Sequence, residues 1–172
     1  MKERKGAVTL NGKPQTVRGE VLKVGDKAPD FRLVANDGSR KTLRDFAGKP
    51  LLVSVVPSLD TGICDAQSRR FDQEALKLKG KVNFITVSAD LPTAQKRWCN
   101  EAAAETMQVL SDHFDMNFGD AWGTHVKELR LEQRSVFVVD SQGVVRYVQY
   151  VPEIAQHPEY DEVLAALQQV VG

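Results

Sequence analysis

The sequence changes character within one segment, residues 51–71, which reads LLVSVVPSLDTGICDAQSRRF. Its first part, Leu51 to Val56, is a nearly continuous apolar run, which is typical of a central strand buried on both faces. Pro57 ends the strand because proline has no N–H for a sheet hydrogen bond. A polar loop at 58–62 follows, and apolar residues then recur at helical spacing from about Ile63 to Lys79. The segment predicts a buried strand, a loop and a helix.

The flanking segments predict the remaining elements. Two β-like runs within residues 7–24 surround Asn11-Gly12, a dipeptide that favours a tight turn, so we predict an N-terminal hairpin. Further along we predict a strand at 82–88, a helix opening at Pro92, a short strand at 107–110, an irregular segment with a short helix at 113–129, paired strands at 135–139 and 144–151, and a helix at 159–171. A βαβ half followed by a ββα half is the thioredoxin-like arrangement, an α/β fold with a mixed central sheet flanked by helices.

Length and composition limit the class of protein. The chain has 172 residues, 42% hydrophobic and 27% charged, which suits one domain spanning 1–172. Lys plus Arg and Asp plus Glu both count 23, so no overall charge favours nucleic acid or an anionic membrane, and we expect neither as a partner. The start, MKERKGAVTLNGK, has no apolar run after its basic residues. We therefore expect a soluble, cytoplasmic protein.

The chain has two cysteines, Cys64 and Cys99, and each needs its own explanation. Two are too few for a disulfide scaffold, and no second Cys/His pair lies near either of them, so we expect no zinc site. The three histidines stand in separate segments without metal-type spacing, and we expect no metal and no cofactor. The simplest interpretation is that both cysteines are small buried hydrophobic residues.

The position of Cys64 favours a more reactive role. The strand–loop–helix junction puts it in the first turn of a helix, where unpaired backbone N–H groups and the helix dipole stabilise a thiolate. Thr61 stands three residues earlier, and its hydroxyl could either reach a substrate oxygen or cap the helix. The sequence leaves both roles open for Thr61.

The segment PSLDTGIC matches the Pro-x-x-x-Thr-x-x-Cys signature of peroxiredoxins, and nearly the whole chain resembles their bacterial thiol peroxidase subfamily. The resemblance extends to VTLNGKPQTVRGEVLKVGDKAPDF, to ADLPTAQKRWC and to the late strand RSVFVVD. It implies that Cys64 is the peroxidatic cysteine and Cys99 the resolving cysteine of the same subunit, joined to it in a redox disulfide. It also implies that Pro57, Thr61 and Arg134 complete the active site.

The resemblance further implies a thiol-dependent peroxidase that reduces hydrogen peroxide and alkyl hydroperoxides, with thioredoxin as reductant and a homodimer as the assembly. Because Cys64 and Cys99 belong to different predicted helices, we expect them to be too far apart for a disulfide in the reduced protein. A disulfide needs Cα atoms within about 7 Å, so its formation should require one or both helices to unwind locally.

Alternatives remain for each part of this interpretation. Without the resemblance, Arg134 is a solvated arginine at a strand end, and Cys99 is a packing cysteine as readily as a resolving one. A thioredoxin-like disulfide oxidoreductase normally uses a CxxC pair, whereas position 67 is Gln and position 61 is Thr. A non-enzymatic redox sensor that passes its oxidation to a partner protein would use the same two cysteines.

Overall fold

The computed structural model describes residues 1–104 and 106–171. Its strands are β1 (Glu3–Leu10), β2 (Lys13–Arg18), β3 (Arg32–Val34), β4 (Arg40–Thr42), β5 (Leu51–Val55), β6 (Asn83–Ser88), β7 (Gln108–Ser111), β8 (His125–Val126), β9 (Leu131–Glu132), β10 (Ser135–Val139) and β11 (Val145–Tyr150). Its α-helices are α1 (Gly62–Lys77), α2 (Pro92–Ala102), α3 (Asn117–Trp122) and α4 (Tyr160–Val171), and a 3-10 turn spans Leu43–Phe46. Over these residues, no helix is both long and apolar enough to cross a membrane.

The central sheet has the strand order β11-β10-β5-β6-β7-β3-β4. β5, β6 and β7 are parallel, whereas β10 is antiparallel to both β5 and β11. This mixed sheet with helices packed against it confirms the predicted thioredoxin-like α/β fold. The antiparallel register pairs Ser135 with Val55, so the residue before β10 lies beside the end of β5.

Residues of β5 alternate between two apolar clusters. On one face, Val53 lies in a cluster with Phe118 and Trp122, whose rings stack with centroids 4.9 Å apart. On the other face, Leu52 lies in a cluster with Phe71 of α1 and Leu167 of α4. Burying a side chain of this size contributes about 1.5–3 kcal/mol. The core therefore holds α1 and α4 against one face of the sheet and α3 against the other.

Helix α1 follows from its sequence with small shifts at both ends. It begins at Gly62 and ends at Lys77, where about Ile63 to Lys79 was predicted, and Gly80 then follows with φ +85°. Its buried residues recur at helical spacing and are Cys64, Gln67, Ser68, Phe71 and Ala75. Cys64 therefore lies on the face of the helix that packs against the sheet.

The N-terminal hairpin is present, but it is part of a second sheet that the sequence does not predict. β1 and β2 pair antiparallel around Asn11 and Gly12, which both have positive φ. The hairpin runs from Glu3 to Arg18, so the predicted range 7–24 begins and ends too late in the sequence. β2 pairs with β8 and β8 with β9, giving the order β1-β2-β8-β9. Strands of two residues are too short to display an alternating pattern. This second sheet leads directly through Gln133 to Arg134.

Gly19 packs against the backbone of α3 and provides a test of how the second sheet is joined to the core. Its φ is +100°, and a Cβ there would collide with the carbonyl oxygen of Asp120. Gly25 has φ +99° but open space around its Cα, so it is the matched control. We expect Gly19→Ala to lower the free energy of unfolding by at least about 1 kcal/mol more than Gly25→Ala, because only Gly19 adds a steric clash to the backbone strain. Urea unfolding of both variants measures the difference. Equal losses of unfolding free energy would show that Gly19 is not in tight contact with the carbonyl of Asp120.

Candidate active site

The loop between β5 and α1 is held by Asp90, which follows β6. Asp90 accepts hydrogen bonds from Ser58 Oγ (2.7 Å), from the backbone N–H of Leu59 (2.9 Å) and from Ser88 Oγ (2.7 Å). Because β5 and β6 are parallel neighbours, the segments that follow them meet at one edge of the sheet. Asp90 thereby fixes the path of the chain into α1, a role that no local sequence pattern predicts.

Cys64 is the third residue of α1 and is 0% exposed. The first intrahelical hydrogen bond runs from the N–H of Asp65 to the carbonyl of Thr61. The N–H groups of residues 62–64 precede that bond, and such groups, together with the helix dipole, give the N-terminus of a helix a partial positive charge. The strand–loop–helix junction therefore puts a buried sulfur where a negative charge is stabilised.

Arg134 lies in contact with Cys64, although the two residues are 70 positions apart in the sequence. Arg134 Nη2 is 3.2 Å from Cys64 Sγ. The contact follows from the register of the sheet, since Ser135 pairs with Val55 and Arg134 therefore lies beside the start of the loop that leads to Cys64. Arg134 is 1% exposed, so the interpretation of a solvated strand-end arginine is wrong.

The other hydrogen bonds of Arg134 go to neutral groups. Nε and Nη2 donate to the carbonyl oxygen of Ile154 at 3.1 and 2.9 Å, and Nη1 donates to Gln67 Oε1 at 2.9 Å. None of the ion pairs found among residues 1–104 and 106–171 includes Arg134. A buried guanidinium is costly unless a negative charge compensates it. Among the groups that Arg134 contacts, the sulfur of Cys64 is the one that can carry a compensating negative charge, as a thiolate.

One N–H of Arg134 remains available. A guanidinium carries five N–H donors, and four of them are used by Ile154, Gln67 and Cys64. The fifth, on Nη1, has no acceptor within the part of the chain that the structure describes. Arg134 therefore keeps one N–H that can donate to a further acceptor without giving up an existing bond.

Thr61 and Pro57 bracket the loop before Cys64. Thr61 precedes α1 with an extended backbone, yet its side chain makes no capping bond, and its hydroxyl donates instead to the carbonyl oxygen of Ser58 at 3.1 Å. The hydroxyl oxygen thus keeps its capacity to accept a hydrogen bond. Pro57 is buried two residues after the end of β5. Of the two roles left open for Thr61, side-chain capping is not the one observed.

Besides Asp90, two residues around Cys64 and Arg134 were not predicted from the sequence. Gln67 is fully buried, accepts the bond from Arg134 and donates to Ser54 Oγ at 2.8 Å, so it links the cation to β5. Tyr160 of α4 lies near the pair: burial raises its pKa, and the charge of Arg134 opposes that rise. Gln67 could have been found, because it is a polar residue on the apolar face of α1, one turn after Cys64.

Cys99 lies near the end of α2 and is partly buried, and both cysteines are free thiols. It packs against the apolar cluster that contains Cys64 and Trp98, but it borders a separate cleft of about 350 Å³ together with Asn36 and Val109. Burial raises the pKa of the Cys99 thiol, and the nearby charge of Asp72 adds to this, while a hydrogen bond with Asn36 opposes it. Cys99 is therefore held as a neutral thiol in this arrangement.

Comparisons with known proteins identify the family of the chain. The Redoxin family model matches residues 23–164. The chain is 51% identical over 164 residues to a thiol peroxidase of Bacillus subtilis, covering 95% of this chain and 98% of that protein. It is 52% identical to a thiol peroxidase of Halalkalibacterium halodurans, covering 93% of this chain and 96% of the relative.

Solved structures give the same result for the fold. A peroxiredoxin-like protein from Aquifex aeolicus superposes with a TM-score of 0.89 at 34% identity, covering 96% of this chain and 97% of that one. A thiol peroxidase from Chromobacterium violaceum superposes with a TM-score of 0.84 over 94% and 95% of the two chains, and at 20% identity this likeness concerns the fold alone. The chain belongs to the Redoxin family and, within it, to the peroxiredoxins of the thiol peroxidase group, which makes it a thiol-dependent peroxidase.

Proposed function

We propose that the protein reduces hydrogen peroxide and alkyl hydroperoxides through a sulfenic acid on Cys64, which Cys99 of the same subunit resolves as a disulfide that thioredoxin then reduces. The observation that carries the proposal is the 3.2 Å contact between Arg134 Nη2 and the buried Sγ of Cys64. A cysteine beside a buried cation without a carboxylate partner is a nucleophile, because the thiolate and not the thiol attacks.

In the first step, the Cys64 thiolate attacks the terminal oxygen of the hydroperoxide. A new S–O bond forms, the O–O bond breaks, and its electron pair leaves on the second oxygen, which takes a proton and departs as water or an alcohol. Sulfur is oxidised by two electrons to the sulfenic acid. The free N–H of Arg134 and the N–H groups at the start of α1 are suited to stabilising the charge on the leaving oxygen, and the Thr61 hydroxyl can accept the hydrogen bond of the hydroperoxide.

In the second step, Cys99 attacks the sulfur of the sulfenic acid. The S–O bond breaks, the oxygen leaves as water with the proton of the Cys99 thiol, and a disulfide joins the two residues. A dithiol then returns both cysteines to thiols and becomes a disulfide itself. The cleft beside Cys99 supports access by such a reductant, because it opens at Cys99 and not at Cys64.

The choice of substrate and the assembly rest on fewer observations. Cys64 lies in an apolar cluster with Val56, Leu59 and Val109, which supports contact with an alkyl chain. Thioredoxin as the reductant and the homodimer stay predictions from the resemblance, and the cytoplasmic location stays a prediction from the sequence. The local unwinding that brings Cys99 to Cys64 also stays a prediction.

Replacing each cysteine by serine separates the two steps. Cys64→Ser should abolish peroxide reduction, because a serine hydroxyl is not ionised near neutral pH and forms no sulfenic acid. Cys99→Ser should consume about one equivalent of peroxide per subunit and then stop, because the sulfenic acid has lost its partner thiol. Peroxide loss with thioredoxin, thioredoxin reductase and NADPH measures both. Full cycling by Cys99→Ser would remove Cys99 from the mechanism and leave Cys64 in it.

Arg134→Lys tests the guanidinium while it keeps the positive charge. A lysine has a single nitrogen and cannot contact Cys64, Gln67 and the carbonyl of Ile154 together. We expect the second-order rate constant for Cys64 oxidation to fall about a hundredfold, as is usual when a donor to developing charge is removed. Arg146→Lys is the control, because Arg146 pairs with Asp140 at the opposite end of β10. Rapid-quench mass spectrometry measures sulfenic acid formation, and equal rates in the two variants would contradict the assigned role.

A further inference from the structure

The neighbours of the two cysteines are hydrogen-bonded to each other. Asp65 directly follows Cys64 in α1, and Trp98 directly precedes Cys99 in α2. Trp98 Nε1 donates to Asp65 Oδ1 at 2.7 Å, and Trp98 is 6% exposed. The bond therefore joins the two helix segments at the residues next to the two sulfurs.

Arg69 completes the cluster. It lies one turn after Asp65 and its Nε contacts both carboxylate oxygens at 3.0 Å. Its guanidinium also lies over the Trp98 ring, 5.9 Å from the ring centroid, which is just within the limit of about 6 Å for a cation–π contact. Asp65, Trp98 and Arg69 are called the α1–α2 latch below. Each member of the latch contacts both of the others.

The latch is the direct polar connection between the two helices. Across the described stretches of the chain, the Trp98–Asp65 bond is the one side-chain hydrogen bond from α1 to α2. Below Trp98, a cleft of about 100 Å³ lined by Asp72, Gln73 and Ala102 separates the helices, and Asp72 there accepts hydrogen bonds from the backbone N–H groups of Thr106 and Met107, beyond the end of α2. A hydrogen bond to an ionised acceptor from a nearly buried donor is stronger than one between neutral groups.

We infer that Asp65, Trp98 and Arg69 are positioning residues that hold α1 and α2 in the peroxide-reducing arrangement, and that the latch must open before Cys99 can reach oxidised Cys64. The inference rests on the proposed function, in which Cys99 is the resolving cysteine. Unwinding either helix next to its cysteine moves Asp65 or Trp98 and breaks their bond. The strength of the latch therefore sets the rate of disulfide formation, and it leaves the rate of the preceding attack on peroxide unaffected as long as the closed arrangement is the more populated one.

The latch also decides the fate of the sulfenic acid. While it is closed, Cys64 stays beside Arg134 and is not joined to Cys99. A second peroxide can then oxidise the sulfenic acid to a sulfinic acid, with cleavage of the second peroxide's O–O bond and release of water or an alcohol. Once it opens, the disulfide forms and this oxidation stops. A weaker latch should therefore speed resolution and protect Cys64 from inactivation.

Trp98→Phe is the direct test, because phenylalanine keeps the ring and removes only the N–H donor. Trp122→Phe is the matched control: it removes the same donor from the other tryptophan, which binds the carbonyl of Pro29 in the core, away from both cysteines. Asp65→Asn is a second variant, which weakens the same bond because it replaces the charged acceptor by a neutral one. Asp65 is partly exposed, so this change disturbs packing little. Rapid-quench mass spectrometry after one equivalent of peroxide follows the sulfenic acid and the disulfide separately.

We expect Trp98→Phe to form the disulfide about tenfold faster than the wild type, a change equivalent to about 1.4 kcal/mol, with an unchanged rate of sulfenic acid formation. Trp122→Phe should have the wild-type rates of both steps. The double variant Asp65→Asn/Trp98→Phe should form the disulfide no faster than Trp98→Phe alone, because both changes remove the same hydrogen bond. In Trp122→Phe, Trp98 is the remaining tryptophan. After peroxide is added, its fluorescence should change over time with the same rate constant as disulfide formation.

Two results would overturn the inference, and they are distinguishable. If Trp98→Phe and Asp65→Asn form the disulfide at the wild-type rate, the latch does not limit resolution, while the proposed function stands. If the wild type forms sulfenic acid but no disulfide between Cys64 and Cys99, the resolving role of Cys99 fails and the latch inference fails with it.

Discussion

The contact between the guanidinium of Arg134 and the sulfur of Cys64 constrains the elements around it, because a charge that is 1% exposed must be compensated where it lies. Four parts of the chain supply its surroundings. α1 provides the sulfur and Gln67, and the segment after β11 provides the carbonyl of Ile154. Arg134 itself lies between β9 and β10, which fix its position in the chain. A shift of any of them would leave a buried cation without its partners.

The two cysteines lie in different surroundings. Cys64 is enclosed at the start of α1, whereas Cys99 borders a different cleft and is kept neutral because burial raises its pKa. The proposed mechanism therefore needs two arrangements of α1 and α2, one that binds peroxide at Cys64 and one in which the two sulfurs can bond. The bond between Trp98 and Asp65 stabilises the first of these at the cost of delaying the second.

The sequence predicts those parts of the fold that local patterns encode. The apolar run of β5, the helical spacing of α1 and the Asn11-Gly12 turn each carry a local signal, and each element is present within a few residues of its expected position. The second sheet was missed because β8 and β9 have two residues each. The contacts of Arg134 and of Asp90 depend on strand register and on chain segments far apart in sequence, so no local sequence pattern predicts them. Gln67 is the exception, since a polar residue on an apolar helix face is visible in the sequence.

A double-mutant cycle on the free energy of unfolding tests most directly whether Cys64 carries the charge that compensates Arg134. The four proteins are the reduced wild type, Cys64→Ala, Arg134→Met and the double variant, unfolded in urea at neutral pH. Paired buried charges predict a coupling energy of at least about 1.5 kcal/mol, because either single change leaves the other group without its partner. Free energy changes that add to within about 0.5 kcal/mol would show that the two groups do not interact as a charge pair, and would contradict the account.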